Sequence, residues 1–132
     1  MIPDNKHVTE KSLTTEMCPT VSAILSRIGD KWSVMIVMDL ASGPRRFNEV
    51  KRDVAGISQR MLTLTLRGLE RDGLVSRRVY DTVPPKVEYS LTERGRSLQG
   101  PVIALGEWAV ANAEGIHASR AEFDRKMGEA AE

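Results

Sequence analysis

The sequence has little of the chemistry on which most small enzymes depend. Its 132 residues include one cysteine, Cys18, and two histidines, His7 and His117. A single cysteine excludes a disulfide within the chain, and these three residues do not have the spacing of a recognisable metal site. The sequence contains no glycine-rich phosphate loop and no pattern that suggests a Ser-His-Asp or Cys-His pair. We therefore expect a protein that is not an enzyme and that has no metal site and no cofactor.

Long apolar runs are also missing. The longest one, Val34 to Met38, is far too short to span a membrane, and the amino terminus lacks the basic-then-apolar order of a signal peptide. Together with the lone thiol, these absences favour a cytoplasmic protein. Aromatic residues make up only 5% of the chain, so the core must consist mainly of Leu, Ile, Val and Met.

A large net charge is the third absence, since the formal total is +1. The charge is nevertheless uneven along the chain. Residues 45–86 contain ten Lys or Arg and five Asp or Glu, which leaves +5 in the middle and −4 in the remainder. A basic centre favours a polyanion-binding unit, although solvated helix faces would produce the same local excess.

Four helices are predicted before a change of periodicity. Pro19 opens the first, which runs to Ile28, and Asp30 caps the second, Lys31 to Leu40, whose apolar residues on several sides predict burial. A short third helix spans 47–54. Ser58 caps the fourth, which ends before Gly73.

After Gly73 the period becomes that of strands. Alternating residues at 75–80 and 87–91 flank a loop with two prolines, which predicts a β-hairpin with a stiff tip. Thr92 caps a further helix that Gly100-Pro101 is expected to interrupt, and an apolar-faced helix follows to Ile116. The predicted organisation is a loose arm at 1–16, a domain at 17–116 and a polar tail at 117–132, which is either helical or frayed.

This order of elements predicts a mainly α fold with a small β-hairpin, a winged helix-turn-helix. On a helical wheel Leu62, Leu66 and Leu69 of the fourth helix form one side. The other side consists of Arg60, Leu64, Arg67 and Arg71, flanked by Thr63. Arginines on an exposed side suit contacts with phosphate and guanine. The candidate DNA-binding residues are Arg46, Ser58, Gln59, Arg60, Thr63, Arg67, Arg77, Arg78 and Lys86.

Six segments carry a family resemblance. They are Cys18-Pro19, Gly29-Asp-Lys-Trp32, Gly43-Pro-Arg-Arg-Phe47-Asn-Glu, Gly56-Ile-Ser-Gln-Arg-Met-Leu62, Leu69-Glu-Arg-Asp-Gly-Leu74 and Pro84-Pro-Lys-Val-Glu-Tyr-Ser-Leu-Thr92. Together they resemble the HxlR-type regulators, which are related to the MarR winged-helix repressors, over about residues 17–110.

The resemblance implies a transcription factor that forms a homodimer through its first and last helices and reads duplex DNA with the helix that starts at Ser58. It also implies a wing built on Arg77 to Tyr89. Two residues depart from the family pattern. Leu64 stands where a polar residue is more usual, and Gly68 lies inside a helix, where glycine costs about 1 kcal/mol relative to alanine.

Cys18 permits two interpretations. It precedes the first turn of a helix, where the dipole favours the thiolate, and in the resembling family this cysteine often senses oxidants or electrophiles. Alternatively, it packs as a small hydrophobic residue. If Cys18 is a sensor, the lack of a second cysteine restricts its oxidation product to a disulfide between subunits, a mixed disulfide with a small thiol, or a sulfenate.

Two other functions compete with that of a DNA-binding regulator, which we expect to be a repressor acting on an inverted-repeat operator. One is a thiol-based redox enzyme that uses Cys18, although no base or resolving cysteine is visible. The other is a winged-helix module that binds protein or RNA. Burial of the arginine side of the fourth helix in an interface would favour that module.

Overall fold

The computed structural model describes residues 18–131. The elements, in chain order, are α1 (Pro19–Ile28), α2 (Lys31–Leu40), β1 (Arg45–Arg46), α3 (Phe47–Asp53), α4 (Gln59–Arg71), β2 (Val75–Tyr80), β3 (Lys86–Leu91), α5 (Glu93–Ser97) and α6 (Gln99–Ala131). The chain divides into two compact units, the first ending at Arg96 and the second beginning at Ser97. The predicted arm at 1–16 lies outside the described residues.

Side-chain caps start three of the first four helices. The Asp30 carboxylate accepts the Ser33 N–H at 3.2 Å, and the Ser58 hydroxyl accepts the Met61 N–H at 3.0 Å. The Cys18 thiol does the same for Val21 at 3.4 Å. Each cap satisfies an N–H that has no partner within the helix, which is why α1, α2 and α4 begin where the sequence predicts.

Three antiparallel strands form one small sheet in the order β1-β3-β2. In the hairpin, Val75 faces Leu91 and Tyr80 faces Lys86. The sequence predicted this hairpin but not β1, whose Arg45 and Arg46 pair with Tyr89 and Glu88. A strand of two residues is too short to show an alternating pattern.

The core of the first unit is aliphatic, as the shortage of aromatic residues required. Leu62, Leu66 and Leu69 of α4 are at most 1% exposed, and they share the core with Ile36, Val37, Leu40, Val50, Val54, Ile57, Leu74, Val75 and Leu91. Each leucine buried in this way contributes about 1.5–3 kcal/mol to stability. The leucine face therefore determines which side of α4 is turned outward.

Two sequence-based predictions need correction. The helix α2 buries one face only, since Met35 and Met38 are 38% and 37% exposed. The C-terminal helix is interrupted at Leu98, between α5 and α6, and not at Gly100-Pro101. A proline in the first turn of α6 is tolerated because the N–H that it lacks would have no helical partner there. For the polar tail the sequence left helix and frayed chain open, and in the structure α6 continues as helix to Ala131.

Within residues 18–131, none of the helices is long and apolar enough to cross a membrane. The same part of the chain has no group of three or more His, Cys, Asp or Glu side chains that could hold a metal ion.

Candidate nucleic-acid interface

The outward side of α4 has the exposed cations that the helical wheel predicted. Arg60, Arg67 and Arg71 are exposed, and Leu64 beside them is 51% exposed. Within residues 18–131, none of these three guanidinium groups forms an ion pair. Their full positive charge therefore faces solvent. We call Arg60, Leu64, Arg67 and Arg71 the arginine stripe.

The amino-terminal end of α4 is open. Ser58, Gln59 and Arg60 are exposed, although the Ser58 hydroxyl is occupied by its cap hydrogen bond. Thr63 is half-buried, and its hydroxyl donates to the Gln59 carbonyl oxygen at 2.9 Å. Gln59 and Arg60 are thus the predicted site residues in the first turn whose side chains have no other partner in the described chain.

Arg67 and Arg77 meet between α4 and the sheet. They border a cavity of about 310 Å³, whose lining residues are Phe47, Thr63, Arg67, Glu70, Arg77 and Tyr89. Arg77 is opposite Tyr89 in the hairpin, so both project from the sheet face that looks toward α4. Three predicted site residues, Thr63, Arg67 and Arg77, are brought together here although 14 positions separate the first from the last.

Arg78 and Lys86 form a second group around a tyrosine. The Arg78 guanidinium lies 4.5 Å and the Lys86 ammonium 4.7 Å from the centre of the Tyr80 ring. The Tyr80 hydroxyl donates to Glu88 at 2.9 Å, and Lys86 lies 3.6 Å from the same carboxylate. The hydrogen bond to Glu88 raises the pKa of Tyr80 above its ordinary value. The Tyr80 ring therefore helps to hold both wing cations, and Glu88 partly neutralises Lys86.

Arg46 belongs to neither group. It is exposed between β1 and α3, and its backbone N–H donates to Glu49 at 2.8 Å. Its neighbour Arg45 is turned to Asp53, 3.7 Å away. The site prediction included Arg46 and did not include Arg45.

A carboxyl pair lies beside β1. One oxygen of Asp39 is buried without a hydrogen-bond partner in the described chain. Burial is the largest cause that raises the pKa of Asp39 from 3.8 to about 6, followed by a hydrogen bond shared with Asp53 and the negative charge of that residue. Arg45 opposes the rise. Sequence analysis missed this pair because the two residues lie on different helices.

Cys18 stands apart from these groups, at the start of α1. It is exposed, and its sulfur accepts the Val21 N–H at 3.4 Å. The sequence allowed Cys18 to be either a sensor or a packed hydrophobic residue. In the single chain it is not packed in the core, since it is exposed. Tyr80, Glu88 and Tyr89 were not among the predicted site residues. Lys86 was predicted to lie in the hairpin loop and was therefore not paired with Tyr80, its partner in the structure.

The comparisons with known proteins agree with one another. Residues 27–117 match the family model described as HxlR-like helix-turn-helix. The chain is 49% identical over 105 residues to the uncharacterized HTH-type transcriptional regulator YybR of Bacillus subtilis. The aligned residues cover 80% of this chain and 83% of that protein.

Two solved structures are similar over most of the chain. The transcriptional regulator ytfH from Salmonella typhimurium has a TM-score of 0.73 at 38% identity, covering 83% of this chain and 96% of that one. The redox regulator HypR in its oxidized form has a TM-score of 0.65 at 52% identity, covering 72% of this chain and 97% of that one.

Proposed function

The chain belongs to the HxlR-like helix-turn-helix family of transcriptional regulators, and we propose that it is a repressor that binds an inverted-repeat operator in duplex DNA as a homodimer. One observation carries the proposal: α4 turns to solvent a stripe of arginines that form no ion pair within residues 18–131, while Leu62, Leu66 and Leu69 on its other side are buried. A helix with one face fixed in a core and the other basic suits the major groove.

In this proposal the two ends of α4 have different tasks. Gln59 and Arg60, at the amino-terminal end, contact base edges, because their side chains are exposed and have no other partner among residues 18–131. Arg67, with Arg77 beside it on the wing, contacts phosphates on the flank of the groove. Arg46, Arg78 and Lys86 add positive charge farther along the backbone.

Two apolar surfaces support the homodimer. In α1, Val21, Ile24 and Leu25 are 38–49% exposed. In α6, Leu105 and Trp108 are 64% and 59% exposed. Apolar side chains on such a small chain favour burial against a second copy. Light scattering at micromolar concentration is expected to give twice the mass of the chain, and a monomer would contradict the homodimer.

The experiment that tests the function is selection of bound sequences from random duplex DNA. We expect an inverted repeat whose half-site centres lie ~34–36 Å apart or a multiple of that distance, because two identical helices must enter grooves on one face of the duplex. Affinity is expected to fall steeply with salt. Recovery of no sequence preference, or equal binding to single-stranded RNA, would contradict the proposal.

A second function, redox sensing by Cys18, has its own support. The thiol is exposed and caps α1, and the similar HypR structure is that of a redox regulator. In the proposal, modification of Cys18 removes the cap from a dimer helix and changes the distance between the two recognition helices.

The test compares wild type with Cys18→Ser after treatment with an oxidant or an electrophile. Operator affinity is expected to fall in wild type and to stay unchanged in the variant. If mass spectrometry shows modified Cys18 and operator binding is unaltered, the sensing proposal is wrong while the DNA-binding proposal stands.

A further inference from the structure

Gly68 occupies an unfavourable place for a glycine. It lies in the interior of α4 and is buried, although glycine costs about 1 kcal/mol relative to alanine at such a position. Its backbone conformation is that of the helix, with no positive φ to require glycine. The reason for a glycine must therefore be sought in what lies against it.

The guanidinium group of Arg27 fills the space that a side chain would take. A Cβ atom at position 68 would lie 2.2 Å from Arg27 Cζ and within 2.4 Å of both terminal nitrogens. Asp72, one turn farther along α4, accepts a hydrogen bond from Arg27 Nε at 3.1 Å. Residues four apart share one face of a helix, so Gly68 and Asp72 form a slot and a carboxylate aligned for one arginine.

This contact bears on how α1 is held against α4. None of the ten residues of α1 is buried within the part of the chain that the structure describes. An open cleft of about 710 Å³ separates part of α1, at Ala23 and Ile24, from Arg71 and Asp72 at the end of α4. Arg27 reaches from the last turn of α1 to α4, so it restrains the angle between the two helices.

We propose that Arg27, seated on Gly68 and paired with Asp72, is a positioning residue that sets the angle between α1 and the recognition helix. The inference rests on the proposed function, in which α1 belongs to the dimer interface. The angle between α1 and α4 then determines the separation of the two recognition helices, and hence the half-site spacing that the dimer accepts. Gly68 and Asp72 touch neither DNA nor the second subunit in this role.

The first experiment tests the slot without DNA. Thermal unfolding is measured for wild type, Arg27→Ala, Gly68→Ala and the double variant. Alanine at position 68 displaces a guanidinium group only where Arg27 is present. Gly68→Ala is therefore expected to raise the melting temperature more in the Arg27→Ala background than in wild type. Gly128→Ala, in a helix with nothing within 4 Å, is the matched control and should act equally in both backgrounds. An equal change of melting temperature on Gly68→Ala in both backgrounds would show that Arg27 does not occupy the space at Gly68.

The second experiment measures binding to the selected operator with its half-sites moved apart or together by single base pairs, and to one half-site alone. Arg27→Ala and Gly68→Ala are expected to reduce the preference of wild type for its best spacing by roughly fivefold or more. Half-site affinity should stay within about twofold, because the arginine stripe is untouched. Arg27→Lys, which keeps the charge but lacks the planar fork, should restore the preference only in part.

The outcomes separate the two proposals. If wild type shows no operator and no spacing preference, the proposed function is wrong and the inference with it. If wild type has a sharp preference that Arg27→Ala and Gly68→Ala retain, the function stands and the positioning role is wrong.

Discussion

The cations of the recognition helix and those of the wing are held in opposite ways. Along α4, Arg60, Arg67 and Arg71 are exposed and form no ion pair with any residue between 18 and 131. On the wing, Arg78 and Lys86 lie against the Tyr80 ring, and Lys86 also faces Glu88. The sequence alone would count all five as equal positive charges.

The difference indicates how binding energy is divided. An unpaired guanidinium can release counterions and form bidentate contacts without first breaking a contact inside the protein. A cation already placed over a ring and near a carboxylate loses part of that gain, but its position is defined in advance. We therefore expect α4 to supply most of the affinity and the specificity, with the wing contributing less.

The largest effect is expected from the stripe itself. Arg60→Ala should weaken binding to the selected operator by about 1–3 kcal/mol, a factor of roughly 5 to 150, and should relax the preference at one base position. Competition binding with operator variants measures both quantities. An Arg60→Ala protein that binds the operator as tightly as wild type would show that the amino-terminal end of α4 does not read bases.

The second prediction concerns the wing and compares Arg77 with Lys86. Arg77→Ala should weaken binding to all duplexes about equally and lower the salt slope by about 1, as for the loss of one phosphate contact. Lys86→Ala should do the same to a smaller extent, because Lys86 already lies 3.6 Å from Glu88. Equal losses of affinity for the two variants in a salt titration would contradict the expectation that a cation already near a carboxylate contributes less to binding.

A smaller gain is expected from Glu88→Gln, which removes the charge that neutralises Lys86. Affinity for specific and random duplexes should rise by at most about fivefold, because exposed ion pairs are worth up to ~1 kcal/mol. Asp124→Asn removes the same charge from an exposed position of α6 and serves as the control. A rise no larger than that of the control would mean that Glu88 does not restrain the wing.

The smallest effect on DNA binding is expected from Asp39→Asn, beside β1. This substitution should alter the stability of the fold instead. A carboxyl whose pKa rises on folding from 3.8 to about 6 binds more protons in the folded state, so wild type loses stability as the pH increases through this interval. The variant should be more stable than wild type near neutral pH, and this gain should vanish toward pH 4. Urea unfolding at several pH values measures the difference, with Asp81→Asn, exposed in the hairpin loop, as the control.

Local signals were sufficient for the helices and the hairpin. Caps such as Asp30 and Ser58, the glycines that follow helices, and the change from a period of 3.6 to 2 after Gly73 each act within a few residues. The family was predicted from six such segments and is confirmed by the match over residues 27–117. The arginine stripe was also predicted, because burial of Leu62, Leu66 and Leu69 turns the opposite face of α4 toward solvent.

The remainder depends on contacts between distant parts of the chain. The pairing of β1 with β3, the contact of Lys86 with the Tyr80 ring and the Asp39–Asp53 pair each join separate elements. Arg27 and Gly68 are 41 positions apart, and the sequence shows only a helix-breaking residue where the structure shows a filled slot. The sequence by itself determined where α1 to α4 begin and which side of α4 is basic, because those depend on local hydrogen bonds and periodicity. Which cations are free and which are held was decided by the tertiary structure, since only packing brings Glu88, Tyr80 and Asp72 to the charges they contact.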